Sequence, residues 1–339
     1  MIINLIGNGF DLYHGLPSSY YYFGCYLIEN DFEFYERLCS AYDIRYRINT
    51  GPSIAHEYNY GVENIFWSSF ENHLGEVEDN FIIDTTPDDL YLENSDPVEI
   101  EIDNDNMANE LRNYFTKWVK ETLDCECNYD IIRTLIGENI LNFNNNDCYI
   151  VFNYTHILQN IYNVDDNRIH YVHGECLDEY SELIVGHGNN IRIDAIRKYI
   201  EELEADYSYS QSDLNRINEN EALFRYLSKL LKDVSLCNLQ CAEFYNEFNE
   251  DVNEINIYGL SIGEVDLPYL IYLRERYQDA NWRFSYYSQQ DIERINYVAE
   301  VVLELPINGY ETFLLNNPIS NIIKEEILST NGIVKYEEI

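Results

Sequence analysis

The chain opens on the apolar run Met1-Ile2-Ile3-Asn4-Leu5-Ile6 and then places glycine at positions 7, 9 and 15, with Pro17 close behind. No other stretch restricts the fold as strongly. A short strand that ends on Gly-x-Gly and turns into a helix presses bare backbone against its neighbour, because glycine carries no Cβ. Amides at such a turn and the positive end of a helix attract phosphate without Lys or Arg. Position 12 is Leu, so the run departs from Gly-x-Gly-x-x-Gly, and a tight structural turn is the competing account of the first two glycines. A helix can run from Asp11 toward Tyr26, but Gly15-Leu16-Pro17 interrupts it, and residues 7–17 read as a long loop crowding a helix start.

Phosphate capture without basic residues matters in this chain. Its 339 residues hold 61 Asp and Glu against 21 Lys and Arg, a formal net charge of −40. Such a field repels nucleic acid and anionic membrane, so neither is expected as a partner. A mimic of DNA is the other reading of an acidic chain, but a general bias toward acids and Asn accounts for the charge more simply. Apolar residues make up 46%, and 32 Tyr and 15 Phe supply bulk for a sizeable core.

No basic segment followed by a long apolar run marks a signal peptide, and no stretch approaches the roughly 20 apolar residues of a membrane span. The eight cysteines lie at 25, 39, 125, 127, 148, 176, 237 and 241. Neither Cys125-x-Cys127 nor Cys237-x-x-x-Cys241 has knuckle spacing, so reduced thiols in a cytoplasmic protein without a metal are expected.

Periodicity organises the rest. "ENIFWSSFENHLGEVEDNF" (63–81) sets Ile65, Phe66, Phe70, Leu74 and Val77 near helical spacing, and "MANELRNYFTKWVKETL" (107–123) does the same with Leu111, Phe115, Trp118 and Val119. Between them, "DTTPDDLYLENSDPVEIEIDNDN" is acidic, proline-marked and read as an exposed connection. Strand-like runs then follow: "DCYIVFNYT" (147–155), "RIHYVHG" (168–174) and "SELIVGHGNN" (181–190). After a charged helical stretch over about 191–247, "EINIYGLSIGEVDLPYL" (254–270) reads as strand, glycine turn and helix start, and "WRFSYYS" (282–288) as a further strand. Apolar strands alternating with helices predict an α/β, Rossmann-like fold with a mostly parallel sheet. The expected organisation is one domain over 1–339 with helical insertions at about 28–138 and 191–247.

Four strand-end motifs resemble those of the sirtuin-like superfamily in type and order. Gly7-x-Gly9 is followed by Gly15-Leu16-Pro17, "VFNYT" sets Asn153 at the end of a β-run, "YVHG" sets His173-Gly174 after another, and "YGLSIGEVD" carries Gly259, Ser261, Gly263 and Asp266. The sirtuin Asp-Phe-Arg after the first motif is replaced by Ser18-Ser19-Tyr20. The whole chain more closely resembles the AbiH family of bacteriophage abortive-infection proteins, through "IGNGFDLYHGLPSSY", "FWSSFENHLG" (66–75), "FNYTHIL" (152–158), "YVHG" (171–174) and "YGLSIGEVD" (258–266).

The resemblance implies a sirtuin-like sheet, NAD or a related dinucleotide as substrate, and Asn153 and His173 as the catalytic pair. Residues implied to line the dinucleotide crevice are Gly7, Asn8, Gly9, Phe10, Asp11, Gly15, Leu16, Thr155, Gly174, Gly259, Ser261 and Asp266. Cleaving the nicotinamide–ribose bond passes through an oxocarbenium-like sugar. An Asn amide both donates and accepts, so it suits a ribose hydroxyl and a water together. An imidazole titrates near working pH and suits proton handling. A carboxylate such as Asp11 or Asp266 would stabilise the cationic sugar, although Asp11 is equally placed to cap a helix.

Bland readings stand beside these. Asn153 can be a strand-end turn residue, and His173 a packed ring before a glycine turn. His14, His170 and His187 read as structural or solvent-facing. Glu71 reads as a surface or paired carboxylate. "GLSIG" fits Gly-x-Ser-x-Gly, but the last histidine is His187, so the chain order Ser, Asp, His of a hydrolase triad cannot be met.

Three functions therefore stand open: an NAD-consuming hydrolase of phage defence, a nucleotide-binding sensor without turnover, and a protein deacylase. The last is weakest, because the four-cysteine zinc module that sirtuins use is missing. A phage-derived trigger and self-association are the expected restraints on a hydrolase.

Overall fold

The computed structural model describes residues 1–44, 47–48, 58–59, 66, 70–77, 98–178, 181–205, 211–248, 251–263, 265–306 and 308–333. The chain divides into two compact units. One comprises Met1–Ser19, Thr116–Leu183 and Asp233–Ile333, and the other Tyr20–Phe115, Ile184–Lys232 and Val334–Ile339.

The first unit is built on a six-stranded sheet. Its strands are β1 (Ile2–Ile6), β2 (Cys148–Val151), β3 (Ile169–Tyr171), β4 (Glu254–Tyr258), β5 (Asn281–Tyr286) and β6 (Tyr310–Leu314). The spatial order is β3-β2-β1-β4-β5-β6, and every pairing is parallel. This is the doubly wound order, whose direction of winding reverses between β1 and β4. The central strands are apolar without alternation because both faces are covered: all four residues of β2 are buried, and so are Ile3 through Ile6 of β1. Strand β6 is mostly exposed, and its weak apolar pattern explains why periodicity does not reveal it.

Residues 7–17 do not form the expected loop. A six-residue helix, α1 (Asn8–Tyr13), starts directly after Gly7, which is extended at φ −109° and ψ 178°. It stops in a Schellman motif: the amide of Leu16 donates to Asp11 O at 3.1 Å and that of Gly15 to Leu12 O at 3.0 Å. Gly15 takes the left-handed conformation that this closure needs, at φ +78°. Pro17 follows, where the helix cannot continue. Helix formation survives Gly9 because Phe10 and Tyr13 bury their side chains, which offsets a glycine cost of about 1 kcal/mol. Phe10 and Leu16 join Ile6, Tyr149, Val151, Ile157, Ile161 and Ile323 in the core cluster on one side of the sheet.

The remaining helices of this unit include α6 (Glu126–Leu135), α7 (Ile157–Tyr162), α10 (Val234–Glu247), α11 (Leu267–Arg276), α12 (Gln289–Tyr297) and α13 (Ser320–Asn331). Helix α12 begins with a capping box in which Ser288 and Asp291 satisfy one another's backbone.

The second unit contains α2 (Tyr20–Asn30), α3 (Phe32–Ala41), α4 (Phe70–His73), most of α5 (Val98–Trp118), α8 (Asn190–Glu204) and α9 (Gln211–Lys229). Its core is aromatic: Phe23 meets Phe70 at 5.6 Å and Phe115 at 5.4 Å, and Phe66 meets Phe70 at 5.4 Å. Glu71 is a paired carboxylate, 2.6 Å from the buried Lys232 ammonium.

Two further expectations change. Residues 181–190 form no strand; His187 alone makes an isolated parallel bridge with Leu231. Gly186 in this run packs directly on the chain, with Leu230 O 1.8 Å from where a Cβ would stand. Of the acidic connection, 98–106 is helical and continues into α5, while 84–97 lies outside the described residues. Of the helix expected at 63–81, Phe66 and Phe70–His73 are α-helical and Leu74–Glu76 is a 3-10 turn; 63–65, 67–69 and 78–81 lie outside the described residues. Among the described residues no helix is long and apolar enough to cross a membrane.

Candidate functional site

Parallel register brings the motifs together. Ile6 pairs with Val151 on one side and Tyr258 on the other, and Val151 pairs with Tyr171. Four strands thus end in step, and the residues just beyond them form one row: Gly7, Phe152-Asn153, Val172-His173 and Gly259. This row lies at the carboxyl edge of the sheet and spans the switch point between β1 and β4, where doubly wound sheets bind ligands.

The glycines do their closest work on one another. Gly7 N donates to Tyr258 O and Gly9 N to Gly259 O, both at 2.8 Å. A Cβ on Gly9 would stand 2.7 Å from Gly259 Cα, and one on Gly259 would stand 2.3 Å from Phe10 N. Gly259 has φ +63° and donates its own amide to Ser285 Oγ at 2.7 Å. Two of the bare amides are therefore engaged by the chain itself.

Asp11 does not cap α1, whose N-cap Gly7 has no side-chain partner. Its carboxylate is 2% exposed and turns to the loop after β2. Asn153 Nδ2 donates to Asp11 Oδ1 at 2.7 Å and to Gly7 O at 2.9 Å, and Thr155 Oγ1 lies 3.0 Å from both carboxylate oxygens. Two acceptors on Nδ2 settle the orientation of the Asn153 amide and use both its hydrogens. Its Oδ1 is left to accept, so Asn153 offers a ligand an acceptor rather than the donor-and-acceptor pair read from sequence. Burial raises the Asp11 pKa from 3.8 to about 7; the bonds from Thr155 and Asn153 oppose this, and the charge of Asp124 adds to it.

His173 occupies the matching position beyond β3. It is 8% exposed, with Phe152 at 5.9 Å and Tyr154 at 6.2 Å between ring centroids. Gly174 turns the chain at φ +87°. Beyond β4, Asp266 Oδ2 accepts from Gly263 N at 2.8 Å and from Ser261 Oγ at 3.3 Å, which closes the "GLSIGEVD" loop on itself. Ile262 in that loop has φ +54° and is 3% exposed. A β-branched residue held there stores about 1–2 kcal/mol of strain. Asn8 is exposed and bonds to Ser18 O at 3.3 Å. Phe10 and Leu16 are 1% and 0% exposed and belong to the core rather than the crevice, and Gly15 belongs to the helix stop. His14 is also structural, held by Phe10 O and the Tyr162 hydroxyl at 2.7 Å each, and burial lowers its pKa to about 4.

Sequence reading leaves out a second polar group beside Asp11. His156 Nδ1 lies 2.6 Å from Asp124 Oδ2 and its Nε2 2.9 Å from Glu175 Oε1. The His156 amide also donates to Asp124 Oδ1 at 2.8 Å and to the Tyr129 hydroxyl at 2.9 Å, and that hydroxyl donates to Asp124. Burial alone would lower the His156 pKa, but Asp124 and then Glu175 raise it to about 9. His156 and Glu175 directly follow Thr155 and Gly174, so adjacency to the motifs was the available signal. Nothing local points to Asp124. Among the described residues no three His, Cys, Asp or Glu side chains are grouped to hold a metal.

Comparison with known proteins adds one finding. The family model described as bacteriophage abortive infection AbiH matches residues 3–287, which takes in β1 through β5 and every strand-end motif. No curated protein and no solved structure matches the chain. A match over far more than half of the length, on a fold that lines those motifs along one sheet edge, places the chain in the AbiH family of bacteriophage abortive-infection proteins.

Proposed function

We propose that this AbiH-family protein acts in abortive infection by hydrolysing the nicotinamide–ribose bond of NAD. The observation that carries this reading is the in-step ending of β1, β2, β3 and β4 at the switch point, which sets Asn153 and His173 on adjacent strand ends. In this reading Asn153 Oδ1 accepts a hydrogen bond from a ribose hydroxyl or from the attacking water. Water adds to C1′ as nicotinamide leaves with the bonding pair, and His173 takes the proton released. The products are nicotinamide, ADP-ribose and one proton. Asp11, itself fixed by Thr155, and Gly7 O hold the Asn153 amide in place. Loss of NAD kills the cell that hosts the enzyme, so a phage-derived trigger or self-association restrains it.

A second reading is a nucleotide-binding regulatory module without turnover. It is favoured by the engagement of Gly7 N, Gly9 N and both Asn153 donor hydrogens within the chain.

The test is to incubate purified protein with NAD, with and without phage lysate, and to measure nicotinamide by chromatography. The expected outcome is release by the wild type and a loss of 100-fold or more in His173→Ala and Asn153→Ala, with melting curves confirming that both variants fold. NAD binding by calorimetry with no release under either condition would establish the regulatory reading instead.

A further inference from the structure

We propose that His156 fastens the loop after β2 to the loop after β3 and so acts as a positioning residue for the chemistry at Asn153 and His173. This rests on the NAD-cleavage reading for its catalytic consequence, but not for the fastening itself. His156 stands three residues after Asn153, and Glu175 stands two residues after His173. The ring spans them: one nitrogen meets Asp124 at 2.6 Å and the other meets Glu175 at 2.9 Å. Side-chain exposure is 15% for His156, 10% for Asp124 and 35% for Glu175, so the pair with Asp124 is largely shielded from water and the pair with Glu175 only in part.

Geometry sets the protonation. A neutral imidazole donates from one nitrogen and offers a lone pair from the other, and a lone pair facing a carboxylate is repelled. Carboxylates on both nitrogens require both to donate, which makes the ring a cation with two charge-assisted hydrogen bonds. Removing it would leave two uncompensated carboxylates, of which Asp124 already acts on Asp11, in a chain that carries −40.

Supporting contacts keep the fastener rigid. The His156 ring packs on Tyr171 at 5.4 Å, and the single hydroxyl hydrogen of Tyr171 is placed between Thr155 O at 3.2 Å and Gln159 Oε1 at 3.0 Å. Tyr129 and Asp124 grip the His156 amide from below. The loop at 153–156 is thus held by Asp11 at its start and by Asp124 at its end, and the ion pair with Glu175 joins the ring contacts of His173 with Phe152 and Tyr154 in carrying this order across to the loop of His173.

The test uses His156→Gln and Glu175→Gln in the full chain. Hydrogen exchange is followed in peptides covering 152–157 and 172–177, alongside kcat and KM for NAD. His156→Gln is expected to speed exchange in both peptides by tenfold or more. Glu175→Gln is expected to do so mainly in 172–177, with β1 and β4 unchanged in either variant. In an active protein, kcat falls tenfold or more while KM moves less than threefold. Faster exchange confined to 152–157 in His156→Gln would overturn the fastening, as would unchanged exchange in 172–177 for Glu175→Gln. Unchanged kcat with both loops loosened would overturn the positioning role. A wild type that releases no nicotinamide removes the NAD-cleavage reading and leaves the exchange result to decide the fastening. Glu175 is the more exposed partner, so its variant answers the question even where His156→Gln fails to fold.

Discussion

Asp11 is the residue on which the candidate site turns. It is buried, it orients Asn153, and its pKa is raised to about 7. A carboxyl with a folded pKa above its unfolded value favours folding most when protonated. Its contribution is fully present below about 3.8 and is lost as pH rises through about 7. The loss amounts to a few kcal/mol, at about 1.4 kcal/mol per pKa unit. Denaturant unfolding between pH 4 and pH 8 should show stability falling across this window, and Asp11→Asn should flatten that part of the curve. A slope that Asp11→Asn leaves unaltered would mean that the carboxyl is not buried as described. The choice of Asp11 and Asn153 as site candidates was legible because both sit in motifs at strand ends, where punctuation is local. Their bond to each other was not, because 142 residues separate them.

At the scale of elements, β1 and α1 are joined so tightly that positions 7 and 9 have no room for a side chain. Gly9→Ala gains about 1 kcal/mol of intrinsic helix propensity, yet its Cβ would enter Gly259 backbone at 2.7 Å. Backbone has no flexible end to give way, so overpacking wins, and a net loss of about 1–3 kcal/mol is expected from the shift in denaturant midpoint. A stabilised Gly9→Ala would refute the contact. The same pair of elements shows why residues 7–17 read as a loop. Sequence displays the absence of side chains but not what packs against it, and at Gly9 the neighbour is Gly259. Helix α1 is only six residues long, too short for a periodicity signal to outweigh three glycines and a proline.

Over the whole molecule the excess of 40 negative charges sets a self-repulsion that no single ion pair answers. Salt shortens the range of that repulsion to about 3 Å at 1 M from about 30 Å at 0.01 M. The melting temperature should therefore rise by several degrees as sodium chloride is raised from about 0.02 to 0.5 M. A fall would indicate that local pairs such as Lys232 with Glu71 and His156 with its two carboxylates outweigh the global field. Charge also bears on the site. In a chain with 61 acids and 21 bases, the polar side chains described at the sheet edge are Asn153, His173 and Asp11 rather than Lys or Arg.

Composition, period and punctuation determined the α/β class, a mostly parallel sheet and the strand ends at Gly7, Asn153, Gly174 and Gly259, while the resemblance of the motifs themselves carried the AbiH family. Each is written in a few consecutive residues. Tertiary structure alone decided the strand order across the switch point, the packing of Gly9 on Gly259, and the meeting of Asp124, His156 and Glu175. Those depend on contacts between segments far apart in the chain. The register of the sheet, enforced by burying both faces of β1 and β2, brings the strand-end segments together.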